Sequence, residues 1–265
     1  MTLIISYVQK EGIVLATDGR TSSIDTYKEN KSNYKKYHYF NKKNKSISIW
    51  GLTNPFKKKE WDFKQKLIEL INSYPDKKDL KEIADEIAIF LNNNFNHEKY
   101  SDKKIGIHLC GYREYEGKLT PCLYHICAHD LTEKEKKSGK FKRRQKIKFV
   151  AQNDIDVGAK LPDGRFNGIP EIFAISYPSF RQLEKRNMAL FKFLKKPTNK
   201  ENIPSIKDNL KIKALELMGE ILLLGSYCDK MGYEVIGGNL YYCTFNEKGL
   251  IKEGSYLKSS NEINE

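Results

Sequence analysis

Cysteine is scarce and odd in number: Cys110, Cys122, Cys127, Cys228 and Cys243 are the five in 265 residues. They sit mostly inside apolar runs, which suits buried thiols in a reducing compartment and not a disulfide framework. No paired Cys-x-x-Cys or Cys/His finger spacing is present. Cys122, His125, Cys127 and His129, with His108 and Cys110 nearby, therefore read as core and interface residues. Strand alternation turns Cys122 away from both Cys127 and His125, so no metal site and no cofactor is expected. The middle of the chain lacks a Gly/Ser-rich or Pro-rich linker, and no internal repeat is found. A single domain over 1–265 is the expectation.

Long apolar runs are also missing. "TLIISYVQKEG" is too short and too soon broken to be a signal peptide, and "MGEILLLG" is too short to span a bilayer. The expectation is a cytoplasmic protein with no membrane contact. The net charge is +13, which raises the question of nucleic acid. The excess is mostly Lys, spread along the chain among Glu, Asp and Asn. An Arg-and-aromatic patch on one element is lacking, so a solvated basic surface is the reading and nucleic acid is not expected as a partner. The Lys/Arg run 134–148 reads as a charged hairpin tip.

What the sequence does have is ordered in blocks. Residues 2–8 and "IVLAT" read as two strands of a hairpin, and "SISIWGL" as another strand. Two helical patterns follow. One carries Trp61, Phe63, Leu67, Ile68 and Ile71. The other carries Leu80, Ile83, Ile87, Phe90 and Leu91, with Asp76 or Asp79 as its cap. Strands return at 104–114, 121–129 and 145–152. Residues 152–170 read as a loop, two further helical stretches occupy 178–196 and 205–230, and strands close the chain. Helices thus come in pairs between blocks of strands. That order disfavours a doubly wound parallel sheet. It favours an α+β fold of two antiparallel sheets stacked face to face, with helix pairs on the outer faces.

The N-terminal segment carries the chemistry. Thr2 becomes the first residue if Met1 is removed, which puts a hydroxyl and a free α-amine on one residue. An α-amine with a reference pKa of ~7.7–8 is largely available as a base near neutral pH. Thr2 opens a strand, Gly12 turns it, and "IVLA" leads to Asp18, Gly19 and Arg20. Lys36 opens the short segment "KYHYF" before the strand that ends at Gly51. Lys35 is the neighbouring alternative. Alternation lets only one of the two point at Thr2, and Lys36 is preferred.

This set resembles the opening of proteasome β-subunits and their bacterial ring-protease relatives. The closing "VIGGNLYYCTFNEKGL" is similar to the last element of that family. The resemblance implies a four-layer αββα N-terminal-nucleophile hydrolase fold. It implies Thr2, Asp18 and Lys36 as catalytic residues, with the Gly51 N–H stabilising an oxyanion. It further implies a threonine-type peptidase or amidohydrolase, assembled with itself into a ring or open array around peptide or amide substrates. Two family features are absent. "FVAQNDIDVG" stands where a Gly-Ser-Gly-Ser-like stretch is usual, and "DKMGYEVIGG" lacks the Asp and Ser that precede the final Gly pair. These departures motivate an alternative, a catalytically inactive subunit of the same fold with an assembly role.

Overall fold

A computed structural model describes residues 3–9, 12–22, 29–31, 33–52, 54–58, 60–100, 105–115, 117–139, 145–156, 169–174 and 236–256, with single positions at 219, 221 and 225. In chain order the strands are β1 (Leu3–Gln9), β2 (Gly12–Asp18), β3 (Thr21–Ser22), β4 (Glu29–Lys31), β5 (Tyr37–Phe40) and β6 (Lys45–Trp50). Then come β7 (Gly106–Tyr115), β8 (Lys118–Asp130), β9 (Ile147–Asp156), β10 (Ile169–Ala174), β11 (Leu240–Asn246) and β12 (Gly249–Tyr256). The helices are α1 (Phe63–Asn72), α2 (Leu80–Asn94), α3 (His97–Tyr100) and α4 (Glu133–Lys137).

The strands form two five-stranded sheets, ordered β10-β1-β2-β11-β12 and β5-β6-β7-β8-β9, beside the small β3-β4 pair. Every pairing in the two large sheets is antiparallel. The class is α+β, and the expected opening hairpin is present as β1 against β2.

Alternation in β6, β7 and β8 divides the second sheet into two faces. Ile47, Ile49, Ile107, Leu109, Tyr124 and Ile126 turn to one side. There they join Phe63, Leu67 and Ile71 of α1 and Leu80, Ile83, Ile87 and Leu91 of α2 in one core. The opposite side meets the first sheet directly. Val8, Ile13, Leu15, Cys243 and Phe245 of the first sheet pack on Tyr37, Cys110 and Leu123 of the second. Both helices start where carboxylates cap them. Asp62 accepts from the Gln65 N–H at 2.8 Å, and Asp79 from the Lys81 N–H at 2.8 Å. Asp79 is therefore the cap of α2, while Asp76 pairs with Lys43 at 3.1 Å.

Two expectations need correction. The run 134–148 is not simply a hairpin tip. Its start is the helical turn α4, closed by a Thr132–Glu135 capping box and tied to β9 by the Lys148–Glu135 pair. The loop assigned to 152–170 is partly strand, because β9 runs on to Asp156 and β10 begins at Ile169. Pro170 lies opposite Tyr7 in an edge strand, where a missing N–H is tolerated. The two later helical stretches lie almost entirely outside the described residues. Cys122 belongs to the helix-side core and Leu123 to the inter-sheet core, so His125 and Cys127 share the inter-sheet face away from Cys122. Among the described residues no helix is long and apolar enough to cross a membrane.

The packing predicts a contrast on one helix. Ile87 is fully buried on α2 and Ile89 is 59% exposed. Ile87→Ala should cost about 2–5 kcal/mol in urea unfolding, and Ile89→Ala less than about 0.5. Equal losses would mean that α2 packs on a different face.

Candidate active site

Asp18 ends β2 and is wholly buried. A carboxylate so placed needs donors on every side. Its Oδ1 accepts from the Leu3 N–H at 2.8 Å and from Lys36 Nζ at 2.5 Å. Its Oδ2 accepts from the Gly237 N–H at 3.2 Å and the Arg20 N–H at 3.3 Å. Lys36 leads into β5 in the other sheet and is 1% exposed. Its ammonium also donates to the Arg20 carbonyl at 2.7 Å. The pair thus bridges the two sheets, with Asp18 from one and Lys36 from the other.

Lys35 points elsewhere. Its ammonium pairs with Glu253 near the surface and lies over the Tyr37 ring. Alternation allowed one lysine inward, and it is Lys36. Burial pulls the Lys36 ammonium below its usual range. The Asp18 charge and hydrogen bond oppose that pull, and the Arg20 guanidinium reinforces it.

Arg20 is itself buried and donates from Nη1 to the Ile236 carbonyl at 3.1 Å. The Gly19 and Arg20 N–H groups both donate to the Gly237 carbonyl, at 3.1 and 2.9 Å. Gly237 sits at φ +135°, and a Cβ there would lie 3.1 Å from Arg20 Cζ. The positive φ favours glycine, and a side chain there would also press on the Arg20 guanidinium. Gly51 follows β6 at φ 93°, also glycine territory. Two residues before it, the Ile49 N–H donates to the Lys36 carbonyl at 2.9 Å, so the strand carrying Gly51 is laced to the backbone of Lys36.

The structure therefore brings Asp18, Lys36, Arg20 and the Leu3 peptide together. Thr2 lies outside the described residues. Sequence reading missed Gly237 as a donor to Asp18. The signal was the Gly237-Gly238 pair, which marked a backbone needing positive φ but not what it would touch. The chain matches no protein-family model and no curated protein.

The donors around the ion pair are unequal, and so should be the cost of breaking it. Asp18→Ala strands the buried Lys36 ammonium and should cost about 3–5 kcal/mol. Lys36→Met should cost less, because Asp18 keeps three backbone N–H partners. The pH dependence follows from the lowered Lys36 value. Native protein binds this proton less tightly than unfolded chain, so the group penalises folding below its native pKa and the penalty fades as pH rises towards 10.5. Wild type should gain stability relative to Lys36→Met between neutral pH and that value, measured by urea melts across the range. A difference constant with pH would contradict it.

Proposed function

We propose that this chain is a threonine-type N-terminal-nucleophile hydrolase of the proteasome kind, acting on peptide or other amide bonds. The observation that carries the reading is the meeting of the Leu3 N–H and Lys36 Nζ on one oxygen of Asp18. Leu3 directly follows position 2, so a buried carboxylate and a buried amine are assembled at the peptide group next to the presumed nucleophile. The stacked sheets and the α1–α2 pair are compatible with three layers of such a sandwich, and the helical sequence patterns after residue 177 would supply the fourth.

In this mechanism the Thr2 α-amine takes the hydroxyl proton as Oγ attacks the amide carbon. The positive charge of Lys36 favours a neutral α-amine and lowers the cost of forming the alkoxide. Asp18 holds Lys36 in place. The Gly51 N–H would donate to the tetrahedral oxyanion. Collapse breaks the C–N bond, and the α-ammonium returns its proton to the leaving amine. Water, deprotonated by the same α-amine, then hydrolyses the Thr2 ester. Self-assembly into a ring or open array would limit access to the site. The assembly-only alternative rests on the two segments that lack the family's serine and aspartate.

Intact mass and N-terminal sequencing of the mature protein are the first test, with Thr2 expected as the first residue. A β-lactone or epoxyketone probe should then label wild type and spare Thr2→Ala. Lys36→Met should label about 10²–10⁴-fold more slowly. A mature chain with Thr2 at its start but no labelling would favour the assembly role. A residue retained before Thr2 would sink the hydrolase reading.

A further inference from the structure

Ser6 is a hydroxyl in an otherwise apolar stretch of β1, and it is fully buried. It shares the inter-sheet face of Val8. Its Oγ lies 2.7 Å from Nδ1 of His108 in β7, a hydrogen bond from one sheet to the other. His108 is equally buried. It stands in register with Ser48 on one side and His125 on the other, and its ring meets His125 edge to face at 5.3 Å. Burial, with His125 beside it, holds the His108 imidazole neutral well below its usual range. The bond is therefore a neutral hydroxyl–imidazole pair.

Three adjacent strands of the first sheet have such polar ties to the second. β2 is held by Asp18 on Lys36, β11 by the Tyr242 carbonyl accepting from the Tyr37 hydroxyl at 2.6 Å, and β1 by Ser6 on His108. Apolar faces can slide by a fraction of an ångström at little cost. A hydrogen bond of 2.7 Å is short and directional and fixes depth and register. β1 is pinned at Leu3 by Asp18 and at Ser6 by His108.

We infer that Ser6 and His108 are positioning residues: their cross-sheet bond seats the start of β1 and so sets where the Leu3 peptide stands relative to Asp18 and Lys36. This deepens the hydrolase reading and rests on it for the identity of the nucleophile, but the seating of β1 can be measured without any activity.

The experiment uses full-length Ser6→Ala, His108→Leu, the double variant, and His108→Asn, whose amide puts a polar atom where Nδ1 stood. Hydrogen exchange at the Leu3 N–H should accelerate about three- to tenfold in Ser6→Ala and in His108→Leu. The double variant should be no worse than either single one, and His108→Asn should restore most of the protection. Exchange in α2 should stay unchanged, which separates seating from general loosening. In the same set, β-lactone labelling should lose its maximal rate and keep its half-saturating concentration. Unchanged exchange at Leu3 in both single variants would overturn the inference. Altered exchange with no labelling even in wild type would uphold the seating of β1 and refute the hydrolase reading instead.

Discussion

The fold is organised around one carboxylate and one ammonium held out of water between two sheets. Removing both ions from solvent costs several kcal/mol each, and their mutual attraction alone does not offset that. Asp18 is tolerated because four groups donate to it, and Lys36 because it has the Arg20 carbonyl as well as Asp18. These partners come from the start of β1, the turn after β2, the residue before β5 and the glycine before β11. Only the first two belong to one hairpin, and the others come from distant parts of the chain. The pair can be buried only if both sheets are complete and stacked in one register.

The rest of the interface follows from that requirement. Apolar contacts fill the part around Val8, Leu15, Cys110 and Phe245. Buried polar side chains occupy the neighbouring row, Ser48, His108 and His125, and Trp50, Gly106 and Cys127 form the next. Gly106 has no side chain because the Trp50 indole lies across it. A Cβ there would come within 2.5 Å of Cζ2.

The parts of this arrangement that were legible in the sequence are those with a period or a local rule. The α2 face showed in the spacing of Leu80, Ile83, Ile87 and Leu91, and the opening hairpin in two β-branched runs around Gly12. Lys35 and Lys36 could be told apart only as opposites, since alternation says one lysine faces in but not which. β10 was hidden because Pro170 and the Gly-rich stretch before it carry loop chemistry, which an edge strand paired on one side tolerates. The α4 turn was hidden by its charge, although Thr132 and Glu135 stand at capping-box spacing. Ser6–His108 and Gly237–Asp18 join residues 102 and 219 positions apart. No pattern along the chain encodes such meetings.

A buried ion pair can be explained as a register device with no chemistry attached. Such a device would best satisfy both ions within the pair and keep strand ends out of it. Here Oδ1 is shared between Lys36 and the first described peptide N–H of β1. The strand start is thus part of the electrostatic cluster, with the Leu3 peptide and Lys36 meeting on one oxygen. Burial and Arg20 both work against the ammonium, and Asp18 sustains it. An arginine could bridge the sheets too, but its planar fork would spread the charge over a wider head. A compact lysine beside a strand start is the costlier choice for architecture alone. It is the choice that the proposed hydrolase reading calls for, because that chemistry needs a fixed positive charge beside the strand start.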